Sequence, residues 1–305
     1  MSVSRRLLLA TSAAVAVAGR AVAATPTTPI TVAYAGSMGK LMNDGVNPAF
    51  TKDTNIAVHG VGHGAVGLAH LIVGGAMSPD VFVPVSAGAA KIVLDAGKAE
   101  KAVPVASTSM VLAYSPASKF AAQLKAAKGD EWTKIFLNPA FRLGRTNPEV
   151  DPQGRYVLFA LQLAGLYYKL PNFAEKVSGG MMNPKQIFAE TSLLARLQAG
   201  QIDATLGYKS AVVSQKLPYI ELPDEINLSN PSFTKTVYEQ ASLTVKAKDG
   251  KSEVIHPSPL VFYAMTLKAA PHPAEAAKYV AFLSGPQGQA LFKAYGYGPG
   301  MGATL

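Results

Sequence analysis

A strand that ends in a small polar or glycine turn, with a helix start directly after it, recurs three times within the first hundred residues. Ile30-Thr31-Val32-Ala33-Tyr34-Ala35 is rich in β-branched residues and reads as a strand. Gly36-Ser37 ends it, and Ser37 is a good N-cap for a helix beginning near Met38. A second strand is predicted from Asn55 to Val61, followed by a helix over 65–73. A third is predicted from Asp80 to Val85, with Ser86 capping a helix over 87–96. Strands alternating with helices point to a parallel sheet covered on both faces, an α/β protein. In such sheets ligands bind at the carboxyl ends of the strands. Helix N-termini there expose unpaired N–H groups and a partial positive charge, so they hold anions without a formal cation. Ser37, the turn ending in Gly64 and Ala65, and the turn Asp151-Pro152-Gln153-Gly154 are three such ends. Helix capping by itself also accounts for Ser37.

The remaining chain extends this pattern. Strands are predicted over 108–114, 141–144, 204–208, 219–223, 236–246 and 260–267, and a strong helix from the Asp151 turn to about Lys169. The chain closes on two helices, 273–283 and 287–295. The layout that follows is two lobes, one formed by 27–104 plus 257–305 and the other by 105–256.

The N-terminus carries an export signature. Arg5 and Arg6 precede an apolar run from Leu7 to Ala18, and Ala21-Val22-Ala23 is a small-x-small cleavage site, so residues 1–23 read as a signal peptide and the chain as periplasmic. Ser4-Arg5-Arg6 also fits a twin-arginine signal, equally with an ordinary secretory one. Losing Arg5, Arg6 and Arg20 leaves 25 basic and 19 acidic residues, a net charge of +6. That bias favours an anionic ligand, but the basic residues are scattered, which argues against nucleic acid. The chain has no cysteine, which excludes disulfides, thiol catalysis and a lipid anchor on cysteine.

Several motifs have a plain and a functional reading. Gly62-His63-Gly64-Ala65-Val66-Gly67 matches G-x-G-x-x-G, which would make the chain an exported enzyme with a nucleotide cofactor. It follows the second strand rather than the first, and Asp80 precedes its strand where a ribose-binding acid should end one. Asp151-Pro152 is a common helix start, Asp at N-cap and Pro at the first helical position. Glu221 sits among apolar residues, facing either solvent or a cleft. His59, His63, His70, His256 and His272 are dispersed and lack zinc-site spacing. No G-x-S-x-G elbow or recognisable catalytic set is present.

Four stretches resemble the archaeal-type tungstate/molybdate-binding proteins of ABC transporters, and more distantly the bacterial molybdate-binding proteins. They are Ala35-Gly36-Ser37-Met38; Ser78-Pro79-Asp80-Val81-Phe82; Gly144-Arg145-Thr146-Asn147-Pro148-Glu149-Val150-Asp151-Pro152-Gln153-Gly154; and Tyr208-Lys209-Ser210 with Tyr219-Ile220-Glu221-Leu222-Pro223-Asp224-Glu225-Ile226-Asn227-Leu228. The last two are the specific ones. The resemblance implies a type II periplasmic-binding-protein fold, each lobe a mostly parallel sheet flanked by helices, with the oxyanion in the cleft between them. It implies a monomeric receptor that serves a permease in the inner membrane, has no cofactor and is not an enzyme. By motif, Asp151 and Glu221 would bond directly to tungsten or molybdenum, hard centres that suit oxygen ligands. Ser37, the Met38 N–H, Gly64, Ala65, Pro152 and Gln153 would surround the oxo groups, and Tyr238 would close the site. The chain departs from the family pattern at Ala65, where serine is usual, at Thr108-Ser109, where asparagine-glutamate is usual, and at Gln153, where cysteine is usual. A receptor on the same fold for another anion, such as sulfate or a small organic acid, is the alternative.

Overall fold

The computed structural model describes residues 29–149, 151–246 and 251–305. The expected signal segment and its cleavage site lie outside the described residues. Eleven strands are found among those described: β1 Ile30–Ala35, β2 Val58–His63, β3 Val81–Val83, β4 Val103–Ser107, β5 Met110–Tyr114, β6 Ala204–Tyr208, β7 Tyr219–Glu221, β8 Leu243–Lys246, β9 Ser252–Ile255, β10 Val261–Thr266 and β11 Gly298–Pro299. They form a six-stranded sheet in the order β11-β4-β10-β3-β1-β2, a three-stranded sheet β6-β5-β7, and the hairpin β8-β9.

The large sheet draws only on residues before 108 and after 260. Its residues alternate between two cores, as a pleated strand requires. Val32, Tyr34, Val81, Val83, Phe262 and Ala264 pack on one face. Ala33, Phe82, Val261, Tyr263 and Met265 pack on the other. A strand covered on both faces reads as a continuous apolar run, which is why β1 is almost wholly buried. The small sheet is covered on one side by helix Pro152–Tyr167, which buries Val157, Leu158, Phe159, Ala160, Leu161, Leu163 and Ala164. Val111, Ala113, Leu193, Leu197 and Val212 form the core on its other side.

The α/β class holds, but the sheets are mixed rather than mostly parallel. β1 runs parallel to β2 and β3, whereas β10 is antiparallel to β3 and β4, and β11 to β4. β5 is antiparallel to both its neighbours. The reason is connectivity. The chain leaves the large sheet at Ser107 and re-enters at Val261, opposite Ser107, so the returning strand must run against the departing one. These two crossings lie side by side, and the Thr108 N–H donates to Leu260 O at 2.9 Å.

Three further expectations differ. Residues 141–144 form no strand: Leu143 and Arg145 make only isolated bridges, to Ala204 and Ile187. The strand predicted over 236–246 is confined to β8, because Pro231–Phe233 and Tyr238–Gln240 form 3-10 turns before it. Ser86 precedes helix Ala87–Asp95 as predicted, but it makes no side-chain cap bond, and its φ of 71° puts a serine in the left-handed region.

Candidate functional site

The two turns predicted to bind an anion are neighbours because their strands are. β1 and β2 pair in register from Ile30↔Val58 to Ala35↔His63, so their carboxyl ends stop together. A Cβ on Gly36 would stand 3.6 Å from the carbonyl group of His63. Gly36–Met38 forms a 3-10 turn whose N-cap position is Ala35. Ser37 is therefore inside the turn and not its cap. The chain tightens to i→i+3 bonding before helix Gly39–Leu41 begins, so the turn starts at Gly36, two residues ahead of the Met38 start that the sequence suggests. Ser37 is exposed while Met38 is fully buried beneath it.

Gly64 is the N-cap of helix Ala65–Val73. It is exposed, and a Cβ there would meet nothing within 4 Å. Its N–H donates to His63 Nδ1 at 2.7 Å. The helix ladder begins with Leu68 N–H to Gly64 O at 3.0 Å, so the amides of Ala65, Val66 and Gly67 precede it. The Ala65 side chain is turned inward.

The glycines of the G-x-G-x-x-G match have a packing cause. Gly62 is still within β2, and a Cβ on it would stand 2.7 Å from the Tyr34 ring. Gly60 is closed off by the same ring at 3.0 Å. Glycine here admits an aromatic ring lying across the strand, so no phosphate is needed to explain it.

Asp151 caps helix Pro152–Tyr167. Its Oδ1 accepts from the Gln153 N–H at 2.8 Å, with Pro152 at the first helical position. That amide is thus engaged within the protein. The Gln153 side chain ties the loop to the small sheet: Oε1 accepts from Thr146 N–H at 2.9 Å, and Nε2 donates to Leu206 O at 2.8 Å and Thr205 Oγ1 at 3.2 Å. The Gly154 N–H donates to Thr146 Oγ1 at 2.8 Å, and a Cβ on Gly154 would run into Thr146 O. Arg145 is wholly buried, and donates to the carbonyls of Gly180 and Met181. Burial lowers its guanidinium to about 10.

Glu221 ends β7 opposite Val111, and Tyr208 ends β6 opposite Met110, so both strands finish at one edge of the small sheet. The Glu221 carboxylate is exposed and accepts from Lys209 Nζ at 2.6 Å. The Lys209 ammonium also stands 5.9 Å from the Tyr219 ring centre. A cavity of about 350 Å³ lies where the ends of β4 and β11 of the large sheet and β7 of the small sheet come together, lined among others by Thr108, Lys209, Glu221, Lys293 and Tyr297. Asp151 does not line it. The link from Asp151 to this edge runs through Gln153 and Leu206, two residues before Tyr208.

Tyr238 is fully buried on a 3-10 turn rather than a strand. Its hydroxyl donates to Asp224 O at 2.6 Å and accepts from Asn230 N–H at 3.1 Å, so its one proton is committed to the loop after Glu221. Burial raises its pKa further above the ordinary tyrosine value. Sequence reasoning missed two residues of this region. Lys209 stood within a stretch already singled out, but its partner is set by strand pairing. Tyr297, whose hydroxyl donates to Ser37 O at 3.2 Å, is 260 residues away from that partner and had no local signal.

Residues 30–298 match the family of bacterial extracellular solute-binding proteins. Among relatives, the molybdate/tungstate-binding protein WtpA of Thermococcus kodakarensis is 31% identical over 207 residues, covering 61% of this chain and 57% of that protein. Among solved structures, the periplasmic molybdate-binding protein of Azotobacter vinelandii superposes with a TM-score of 0.56 at 16% identity, over 88% of this chain and 98% of that one. The sulfate-binding protein SubI of Mycobacterium tuberculosis gives 0.56 at 14% identity, over 90% and 87%. The chain spans between 44% and 59% of the length of the first curated relatives it matches. At these identities the structural likenesses speak for the fold, a periplasmic-binding-protein fold. The family match covers most of the chain, and the strand ends it contains converge from two sheets as a two-lobed receptor requires: the chain belongs to the bacterial extracellular solute-binding protein family.

Proposed function

We propose that this chain is the periplasmic binding component of an ABC importer and carries tungstate or molybdate to a permease in the inner membrane. The lobes would be 27–104 plus 257–305 and 105–256, closing on the anion, with residues 1–23 as the signal that exports the chain, by the ordinary or the twin-arginine route. In this reading the protein acts as a monomer, binds no nucleic acid and catalyses no reaction.

The observation that carries the reading is the pairing of an exposed serine turn and an exposed glycine turn at adjoining strand ends, with Glu221 at the end of β7 in the other sheet and Asp151 at the head of the helix that covers that sheet. Backbone amides and the Ser37 hydroxyl suit the oxo groups. Two carboxylates would only repel a dianion in a plain hydrogen-bonding site. They suit a hexavalent metal that accepts further oxygen ligands. For this Asp151 must exchange the Gln153 N–H, and Glu221 the Lys209 ammonium, for the metal centre. The relatives named for molybdate and tungstate support that choice of anion.

Titration calorimetry with tungstate, molybdate, sulfate and phosphate tests it. Tungstate or molybdate is expected to bind tighter than ~10 μM, and far tighter than sulfate. Failure of every tetrahedral oxyanion to reach that affinity ends the proposal. A second reading, a receptor for sulfate or a small organic acid, is favoured by the engagement of both carboxylates inside the protein, as a helix cap and an ion pair would have it. Sulfur does not expand its shell, so equal affinity for sulfate and tungstate selects that reading.

A further inference from the structure

Lys209 is placed to serve two partners at the edge of the small sheet. It follows directly on Tyr208, the last residue of β6, and opens helix Lys209–Ser214. In the order β6-β5-β7 the central strand separates it from β7. Its backbone N–H donates to Ser109 O at 2.9 Å, just ahead of β5, and its side chain reaches across the start of that strand to Glu221 Oε1 at 2.6 Å. Tyr219 and Glu221 are two apart on β7 and so project from one face. The ammonium lies over that face, 5.9 Å from the Tyr219 ring centre, within the range of a cation–π contact. The other acid lining the cavity, Asp224, has its oxygens taken by the side-chain amides of Asn227 at 3.0 Å and Asn230 at 3.2 Å. Lys209 therefore keeps a second seat, on the ring, if Glu221 turns away.

Charge gives that second seat its use. A dianion meeting Asp151 and Glu221 gathers negative charge from both sides, while the Ser37 and Gly64 turns offer amides and a hydroxyl but no formal cation. Among the described residues the cations lining the cavity are Lys209 and Lys293, and of these Lys209 is the one paired with the candidate metal ligand. We propose that Lys209 is an anion-binding residue, a movable countercharge: it neutralises Glu221 in the ligand-free protein and, once that carboxylate turns to the metal, its ammonium pairs with an oxo group of the same anion. The inference rests on the tungstate or molybdate reading. It predicts the opposite sign of effect from a lock, in which the lysine would only compete with the metal for Glu221.

Lys209→Met removes the charge and keeps an unbranched stem. At low ionic strength its affinity for tungstate, read by calorimetry, is expected to fall by about tenfold or more, as the loss of a charge-assisted bond requires. In about 1 M salt, where charges are screened beyond about 3 Å, that loss is expected to shrink by about threefold. Lys209→Arg keeps the charge and is expected to stay within about threefold of wild type. Lys278→Met removes the same charge from helix Pro273–Ser284, away from the cavity, and is expected to stay within about twofold. Tungstate binding by Lys209→Met that equals or exceeds wild type overturns the inference and makes the lysine a lock on Glu221. An equal loss in Lys278→Met overturns it in favour of overall charge, and a loss that neither salt nor arginine reduces overturns it in favour of packing. Should Lys209→Met fail to fold, Lys209→Gln is held to the same results. A wild-type protein that binds neither tungstate nor molybdate ends the functional reading and the inference together, whereas tight wild-type binding with Lys209→Met unaffected ends the inference alone.

Discussion

Glu221 and Lys209 form an ion pair at 2.6 Å with the carboxylate largely in solvent, and pairs of that kind contribute roughly 0–1 kcal/mol to stability. Glu221→Gln should therefore leave the urea midpoint nearly unchanged while tungstate affinity, read by calorimetry, falls at least tenfold. A parallel loss of both would make Glu221 a structural residue. Gly154 behaves in the opposite manner. Its missing Cβ leaves room for Thr146 O, which is backbone and cannot swing aside. Gly154→Ala is expected to cost roughly 2–4 kcal/mol in chemical denaturation, because overpacking there forces the whole 144–154 loop to shift. The glycine was visible in the sequence, but its reason was not: nothing in the local pattern shows which carbonyl lies over it.

The N-terminus of helix Pro152–Tyr167 separates capping from ligand binding. Asp151 accepts the Gln153 N–H, and an asparagine can do the same. Asp151→Asn is thus expected to hold stability within a few tenths of a kcal/mol, whereas Asp151→Ala loses about 1 kcal/mol. Both should lose tungstate binding if the carboxylate reaches the metal, since a neutral amide does not replace it. Unchanged binding by Asp151→Asn in calorimetry would leave the residue as a cap alone. At this scale the sequence reading was strong where local chemistry governs. Asp-Pro at the head of a helix and the β-branched run of β1 both lie where they were predicted. It was weak where tertiary contacts override propensity. Ser37 looked like a cap, yet the chain tightened into a 3-10 turn that contains it. Thr236 to Ala241 looked extended, yet the buried Tyr238 hydroxyl draws that stretch into turns around Asp224 and Asn230.

Across the whole molecule, buried phenols set the alkaline limit. Burial pushes the Tyr297 hydroxyl up to about 12, with the Ser210 bond opposing it, and raises Tyr156 and Tyr279 as well. These groups stay protonated in the folded chain after the unfolded chain has begun to ionise near 10, so the unfolded state loses protons first. Stability should be level below pH 10 and decline as pH rises from 10 to about 12. Thermal melts across that range, with phenolate absorbance followed alongside, check this. A melting temperature that held constant to pH 12 would contradict the burial of these hydroxyls.

The three strand–turn–helix units before residue 97, the helix headed by Asp151 and the two closing helices were legible from residue order alone, because each depends on neighbours within a few positions. The antiparallel entry of β10, the pairing of Glu221 with Lys209, the ring of Tyr34 over Gly60 and Gly62 and the reach of Tyr297 to Ser37 were settled only by the tertiary structure. Those contacts join residues brought together by the two chain crossings and by strand pairing, and no local periodicity encodes a partner that far along the chain.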